Sequence, residues 1–308
     1  MIYTITFNPS LDYDIYMGDF KPGGVNRAER EKISIGGKGI NCSEILSVLG
    51  LRSVALGFIA GFVGREIESG VKAADRFDCD FIALDEGVSR INFNIIADSE
   101  TKINLSGPAI ESRHIDRLFA KLKLLKKGDV LMLAGSVPPF LPTTIYADIL
   151  SSISDDVITV VDAQGELLTN SLKHKPFLIK PNLDELRGIF DNAVIDDRDS
   201  VVKYARRLQE FGALNVLVSL GGDGAVLLNH DGGIFESKPP VGNVFSTVGA
   251  GDAMPAGFTA GWLNSENYEY ALKTGTAAGT ARVFCEGVLT ASDIEGLVKN
   301  IEVKEVCK

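Results

Sequence analysis

The residues best suited to chemistry lie in Thr247-Val-Gly-Ala-Gly-Asp-Ala-Met-Pro-Ala-Gly-Phe258. Met254, Gly257, Phe258, Gly261 and Trp262 share one helical face, which predicts a helix starting near Gly251 or Asp252. Gly249, Ala250 and Gly251 are small enough to leave their backbone N–H groups facing an anion at that helix start. A carboxylate there can serve simply as a cap. Beside an anion-binding turn, Asp252 also suits a base that takes a proton from a hydroxyl while the donors hold a phosphoryl group.

A second glycine-rich run, Gly36-Gly-Lys-Gly-Ile-Asn41, opens another helix. Cys42, Ile45, Leu46 and Leu49 follow at i, i+3, i+4 and i+7, and Gly50 ends the pattern. Taken alone the run reads equally well as an ordinary turn or as a close backbone approach to a ligand. It is neither a Walker P-loop nor a complete G-x-G-x-x-G fingerprint, so a dinucleotide site is disfavoured.

The elements that must position these runs alternate. Val130 to Leu133, Val157 to Val161, Phe177 to Ile179 and Val216 to Leu220 read as buried strands. Helical spacing occupies residues near 112–127, 142–153, 182–190 and 199–211. Right-handed crossovers follow, giving an α/β fold with a doubly wound, mostly parallel sheet whose ligands bind beyond the strands' carboxyl ends. Two stretches depart from this rhythm. Leu11 to Gly18 places Asp12, Asp14 and Tyr16 opposite Tyr13, Ile15 and Met17, and Val88 to Ala97 places Arg90, Asn92 and Asn94 opposite Ile91, Phe93 and Ile95. Period-two alternation predicts antiparallel strands with one polar face, and Asp98 to Thr101 predicts a hairpin into Lys102 to Leu105. These strands read as a small antiparallel β lid, formed by about 11–34 and 88–106, on a single domain covering 1–308.

Composition excludes several classes. The 308 residues are 45% hydrophobic, enough for a continuous core, and carry a net charge of -10, which argues against nucleic acid or anionic membrane as partners. No stretch approaches the roughly 18 apolar residues of a membrane span, and Met1 to Phe7 lacks a basic leader start, so a cytoplasmic location is expected. Cys42, Cys79, Cys285 and Cys307 lack metal or disulfide spacing, and His114, His174 and His230 are scattered in polar surroundings, so neither residue type is expected to do chemistry.

The two glycine-rich runs, in this order and this far apart, resemble the signatures of the ribokinase-like (phosphofructokinase B) sugar kinases. The resemblance extends from Asn8-Pro-Ser-Leu-Asp12 to the closing helices. It implies a ribokinase-like fold, ATP and Mg²⁺, and Asp252 as the base beside an anion hole of Gly249, Ala250 and Gly251. It further implies a nucleotide and metal region at Lys180-Pro-Asn-Leu-Asp-Glu185, with Lys180 and Asn182 near the nucleotide and Glu185 placing Mg²⁺ through water. Without the resemblance, Glu185 reads as an exposed helix residue. Asp162 resembles a further acidic position near the metal. Ser219, Gly221, Gly222 and Gly224 resemble the nucleotide-binding turn, and Gly279 a position near the adenine.

On the acceptor side, Arg27, Lys38, Arg90 and Ser136 resemble positions that hold a substrate's existing phosphate, for which arginine forks are chemically apt. Asp12, Asp14, Gly37 and Asn41 resemble positions that grip sugar hydroxyls. Ser89-Arg-Ile-Asn92, with Asn92, and Thr101-Lys-Ile-Asn104 look most like the kinases of fructose 1-phosphate. Kinases of tagatose 6-phosphate and fructose 6-phosphate are the near alternatives, and a non-catalytic sugar-phosphate sensor is the alternative of another class. The resemblance also implies a homodimer through the lid. Departures are Glu44 where arginine is usual, Ala163-Gln164 for Thr-Ser, and Ala253 and Pro255 for Ser and Val.

Overall fold

Val130 to Ala134 is apolar at every position because it is buried on both faces. Leu131 and Leu133 enter one side of the core, whereas Val130, Met132 and Ala134 enter the other. A strand with no solvated face is the mark of a sheet covered by helices on both sides. This computed structural model describes residues 1–306, so Cys307 lies outside the described residues.

In chain order the elements are β1 (Ile2–Thr6), β2 (Ser10–Tyr16), β3 (Arg30–Gly36), α1 (Lys38–Val48), β4 (Ser53–Ile59), α2 (Gly61–Ala74), β5 (Asp78–Cys79) and β6 (Ile82–Ala83). There follow β7 (Arg90–Ile96), β8 (Glu100–Asn104), α3 (Ser112–Leu122), β9 (Val130–Ala134), α4 (Ile145–Ser152), β10 (Ile158–Asp162) and α5 (Gly165–Thr169). The remainder comprises β11 (Leu178–Ile179), α6 (Leu183–Ile189), α7 (Arg198–Glu210), β12 (Asn215–Ser219), β13 (Ala225–Leu228), β14 (Ile234–Lys238), α8 (Ala250–Ser265), α9 (Tyr268–Phe284), α10 (Ala291–Val298) and β15 (Glu302–Val306).

The main sheet runs β15-β14-β13-β12-β11-β10-β9-β1-β4-β5, parallel from β5 to β12 and antiparallel from β12 to β15. Strands β12, β13 and β14 form a meander along one edge, where short turns such as Asn229 to Gly233 replace crossovers, and β15 joins β14 only after α8, α9 and α10. Helices α3 to α7 cover one face, and α1, α8, α9 and α10 the other. The α/β alternation expected from residue 110 onward is therefore present, with α8 beginning at Ala250, slightly earlier than expected.

A second sheet has the order β3-β2-β7-β8. Its outer pairs are antiparallel, but the central β2–β7 pair is parallel, with Asp12 opposite Asn92 and Asp14 opposite Asn94. Alternation reports which face a side chain occupies and is silent on strand direction. Direction is set here by the main sheet, because β1 leads into β2 and β6 leads into β7, and β1 and β6 both run parallel to β4. Both polar rows therefore project together.

Helix α8 is apolar all round and is held against α9 by small residues. A Cβ on Gly257 would fall 2.7 Å from Ala278 Cβ and 2.8 Å from the Thr274 carbonyl. Pro255 lies one turn deeper than a helix start, so the Gly251 carbonyl lacks its usual donor at i+4. Because this close contact anchors the helix, Gly257→Val should overpack it and destabilise the fold by about 1–3 kcal/mol. Thermal unfolding of the variant against the parent protein checks this, and an unchanged midpoint would contradict it.

Candidate active site

The N-termini of α1 and α8 meet at the carboxyl ends of β1, β9 and β10, where open parallel sheets place their ligands. Neither helix has a side-chain cap. In α8 the N-cap Gly249 takes φ +81°, a left-handed conformation that favours glycine. Among the described residues the N–H groups of Gly251 and Asp252 have no acceptor, whereas that of Ala250 makes a long bond of 3.4 Å to the Thr247 carbonyl. In α1 the Thr6 hydroxyl accepts from the Ile40 N–H at 3.1 Å, leaving those of Lys38 and Gly39 free beyond the N-cap Gly37. Two sets of unpaired donors thus share one cleft, and such donors attract anions.

Four buried or half-buried charges stand between them. Asn41 donates to Asp252 Oδ2 at 2.8 Å. Lys38 Nζ lies 3.1 Å from Asp162 Oδ2 and 3.8 Å from Asp252 Oδ1, and Lys180 Nζ lies 3.5 Å from Asp162 Oδ1. Burial pushes the Asp252 carboxyl above its ordinary value, and the Asp162 charge adds to that, while Lys38, Asn41 and Lys180 oppose it. Burial works against the Lys38 charge as well, but Asp162 and Asp252 outweigh it and raise the pKa of its ammonium group. The Cys42 thiol, pushed well up by burial, stays protonated and donates to the Asp252 carbonyl at 3.4 Å. Asp252 is therefore a fixed, water-poor carboxylate with one oxygen toward Asn41 and the other toward Lys38.

Asp162 is 1% exposed and faces both lysines, for which it serves as counter-ion. Among the described residues no group of three or more His, Cys, Asp or Glu side chains could hold a metal ion. Glu185 accepts from the Asn182 N–H at 2.8 Å through one oxygen, while Asn182 Oδ1 accepts from the Glu185 N–H at 2.7 Å. This capping box leaves the other Glu185 oxygen available, and its charge is felt by Lys38. One carboxylate fits Mg²⁺ that keeps its water and arrives with phosphates, and does not fit a resident metal.

The other anticipated positions separate into those near this cleft and those elsewhere. Asn182 pairs with Ser219 across the ends of β11 and β12, and the Ser219 N–H donates to the Pro181 carbonyl at 3.1 Å. Gly221 and Gly222 follow in an open single turn with nothing near their Cα hydrogens, whereas Gly224 packs against the Ser237 carbonyl. On the small sheet, Asn92 donates to Asp12 at 2.7 Å and Asn94 to Asp14 at 2.7 Å. Burial lowers the Arg90 pKa, with Asp12 opposing, and Arg90 Nε is buried without a partner. Gly135 precedes Ser136 and lies against the Lys38 side chain. Gly279 faces the Ala250 carbonyl and Met254, so its small size suits α8–α9 packing. Arg27 lies exposed in the β2–β3 loop, and no side-chain hydrogen bond or ion pair joins it to the cleft among the described residues.

Several supporting residues gave no signal in the sequence. Buried Tyr146 of α4 donates to the Gly135 carbonyl at 3.0 Å and fixes the turn before Ser136. Thr6, at the end of β1, holds the α1 start. A hydroxyl at a strand's carboxyl end is the one feature that could have marked Thr6. Tyr146 has no comparable pattern. Of the histidines, His114 contacts Asp85 and His230 the Tyr268 hydroxyl, both remote from Asp252.

A two-face α/β fold with two anion-binding helix starts around a buried carboxylate defines a phosphotransferase-like site. Residues 6–295 match the family model described as pfkB family carbohydrate kinase, and the chain belongs to that family. A 1-phosphofructokinase of Borreliella burgdorferi is 38% identical over 307 residues, 99% of each chain. A tagatose-6-phosphate kinase of Staphylococcus epidermidis is 32% identical over 99% of this chain and 100% of its own. A Staphylococcus aureus protein of known crystal structure shares 39% identity and a TM-score of 0.86, over 99% of both chains. The chain has the ribokinase-like fold of these kinases.

The Asp252 environment makes a pH prediction. An acid whose pKa is raised stays protonated to higher pH, so the acid limb of kcat/KM should lie above the ordinary aspartate range. Lys38→Met removes a charge that holds the carboxyl down and should move that limb further up. A pH–rate profile of both proteins checks it, and a limb that moves down would contradict it.

Proposed function

We propose that the chain transfers the γ-phosphoryl group of ATP to the free primary hydroxyl of a ketohexose monophosphate, with fructose 1-phosphate as acceptor and fructose 1,6-bisphosphate as product. The observation that carries this reading is Asp252: a buried carboxylate beside the unpaired N–H groups of Gly251 and its own backbone, held by Asn41 and Lys38. The reading of the acceptor is supported by the full-length similarity to the Borreliella burgdorferi 1-phosphofructokinase.

In this scheme Asp252 takes the proton of the acceptor hydroxyl. The hydroxyl oxygen forms its bond to the γ-phosphorus in line as the bond to the bridging oxygen breaks, and ADP leaves. The free donors of α8 meet charge on the transferring group, and preorganised donors of this kind are worth about 10²–10³-fold each. Asp12, Asp14 and Asn41 orient sugar hydroxyls, while Arg90 and Ser136 take the existing phosphate. Asn182, Ser219, Gly221 and Gly222 flank the nucleotide. Mg²⁺, when bound with the nucleotide, neutralises phosphate charge, and Glu185 is the carboxylate placed to hold it through water.

The small sheet acts as a lid whose closure excludes water that would hydrolyse ATP. Tyr13, Ile33, Phe93 and Ile103 align across it, and Ile33 and Ile103 remain 56% and 47% exposed. That apolar row supports a homodimer through the lid, which would bring Arg27 to a neighbouring site. Size-exclusion should give a dimer that Ile33→Glu converts to a monomer of lower activity. A fully active monomeric parent protein would overturn this.

Asp252→Asn should keep phosphosugar binding and lose at least about 10²-fold in kcat. A coupled ADP-release assay across fructose 1-phosphate, tagatose 6-phosphate, fructose 6-phosphate, ribose and adenosine tests the whole reading. Preference for tagatose 6-phosphate, the substrate in the name of the Staphylococcus epidermidis relative, would replace the acceptor and leave the mechanism standing. An Asp252→Asn variant above about a tenth of parent kcat would remove Asp252 as the base.

A further inference from the structure

Beside the start of α8 stands a positive charge that no carboxylate claims. Arg282, in the last turn of α9, lies along the Gly249 turn: a Cβ on Gly249 would fall 3.3 Å from its Nε, and 3.7 and 3.9 Å from its Cγ and Cδ. The loop entering that turn is tied to the same place. The N–H groups of Phe245 and Ser246 converge on the Val283 carbonyl at 2.9 and 3.4 Å. Arg282 is half-buried, yet among the described residues no carboxylate oxygen lies within 4.0 Å of its guanidinium and it donates no hydrogen bond. At longer range its charge acts on Glu44 of α1, whose pKa burial raises and the charges of Arg76 and Arg282 pull back down.

A guanidinium partly withdrawn from water without a bonded anion sits in an unfavourable place unless another charge arrives. The neighbouring anion site is the helix start that faces Asp252. The other cations of the cleft, Lys38 and Lys180, are already paired with Asp162. Arg282 is the cation left uncommitted on the opposite flank of that turn.

We propose that Arg282 is a positioning residue for phosphoryl transfer, holding the Gly249 turn by its side chain and adding a fixed positive charge behind the anion-binding start of α8. This rests on the kinase reading above. It acts through the turn and its field and touches neither sugar nor nucleotide, so it should change kcat and leave KM for the phosphosugar alone. A fixed positive charge near a developing anion in a partly buried setting supports an effect of about tenfold.

The test compares Arg282→Met, Arg282→Lys and Arg282→Ala with the parent chain, using ATP and fructose 1-phosphate. Met preserves the stem and packing without charge, whereas Lys preserves charge. The expected result is a kcat about tenfold lower for Met and Ala at unchanged phosphosugar KM, with most activity kept by Lys. Guanidinium ion at a non-denaturing concentration should restore part of the Ala variant's kcat. Parent-like kcat in the Met variant, or equal losses in Lys and Met, would overturn the proposal while leaving the kinase reading intact. A parent chain that phosphorylates no acceptor in the panel, although Asp252→Asn and parent melt alike, would overturn the kinase reading and this proposal with it.

Discussion

Desolvation of Asp252 is the constraint on which the remaining arrangement depends. A carboxylate in this cleft is useful as a base only if it is both ionised and poorly hydrated, and burial alone would drive it toward the neutral acid. The protein resolves this conflict by placing Asn41 on one oxygen and Lys38 near the other. Lys38 in turn needs Asp162, and Asp162 needs Lys180, so the chain of compensation runs from α1 through β10 to the end of β11. Two positive and two negative charges close the set, and the ammonium of Lys38 is stabilised more than its burial penalises it.

Such a network holds only if its backbone supports are rigid. Lys38 and Asp252 belong to helices whose first turns meet, and each is fixed by a contact that larger side chains would forbid. Close packing at Gly257 and Gly279 holds α8 on α9, while Thr6 fixes the start of α1 and the Cys42 thiol ties α1 to the Asp252 carbonyl. Tyr146, fully buried, serves the Gly135 turn in the same way from the opposite face of the sheet. The chemistry thus lies at strand ends and helix starts, and the precision of the site is set by packing a layer away from it.

Much of this was legible in the chain itself, for identifiable reasons. Apolar runs such as Val130 to Leu133 and the spacing after Asn41 report burial directly, so the α/β architecture and both helix starts followed from periodicity. Asp252 and Asn41 were each visible as residues at glycine-rich helix starts, but the bond joining them across 211 positions was not. Charge pairing is a property of the folded cleft: Asp162 and Lys180 carry no local mark that they neutralise one another. Strand direction was hidden for a related reason, because the alternation in Leu11 to Gly18 and Val88 to Ala97 fixes faces and leaves the parallel β2–β7 pairing open. At Gly279 the packing against α8 was hidden as well, because a glycine that suits helix packing looks the same in sequence as one that faces a ligand.

The charge distribution carries the last step. The chain as a whole is strongly negative, at -10, yet its cleft must accept phosphate-bearing molecules. Long-range attraction cannot achieve this, since exposed charges beyond about 10 Å are screened at ordinary ionic strength. The attraction has to be local and directional. The free N–H groups of α1 and α8 supply it without adding net charge, and Arg90, whose Nε is buried and unpaired, supplies it from the small sheet. Because the Lys38–Asp162–Lys180–Asp252 set is already neutral, each added phosphate charge must be met by these groups and by cations carried with the nucleotide. On the proposed reading, a neutral sugar would leave Arg90 desolvated and unmatched, and a phosphorylated acceptor would be selected by the penalty of leaving that charge unanswered.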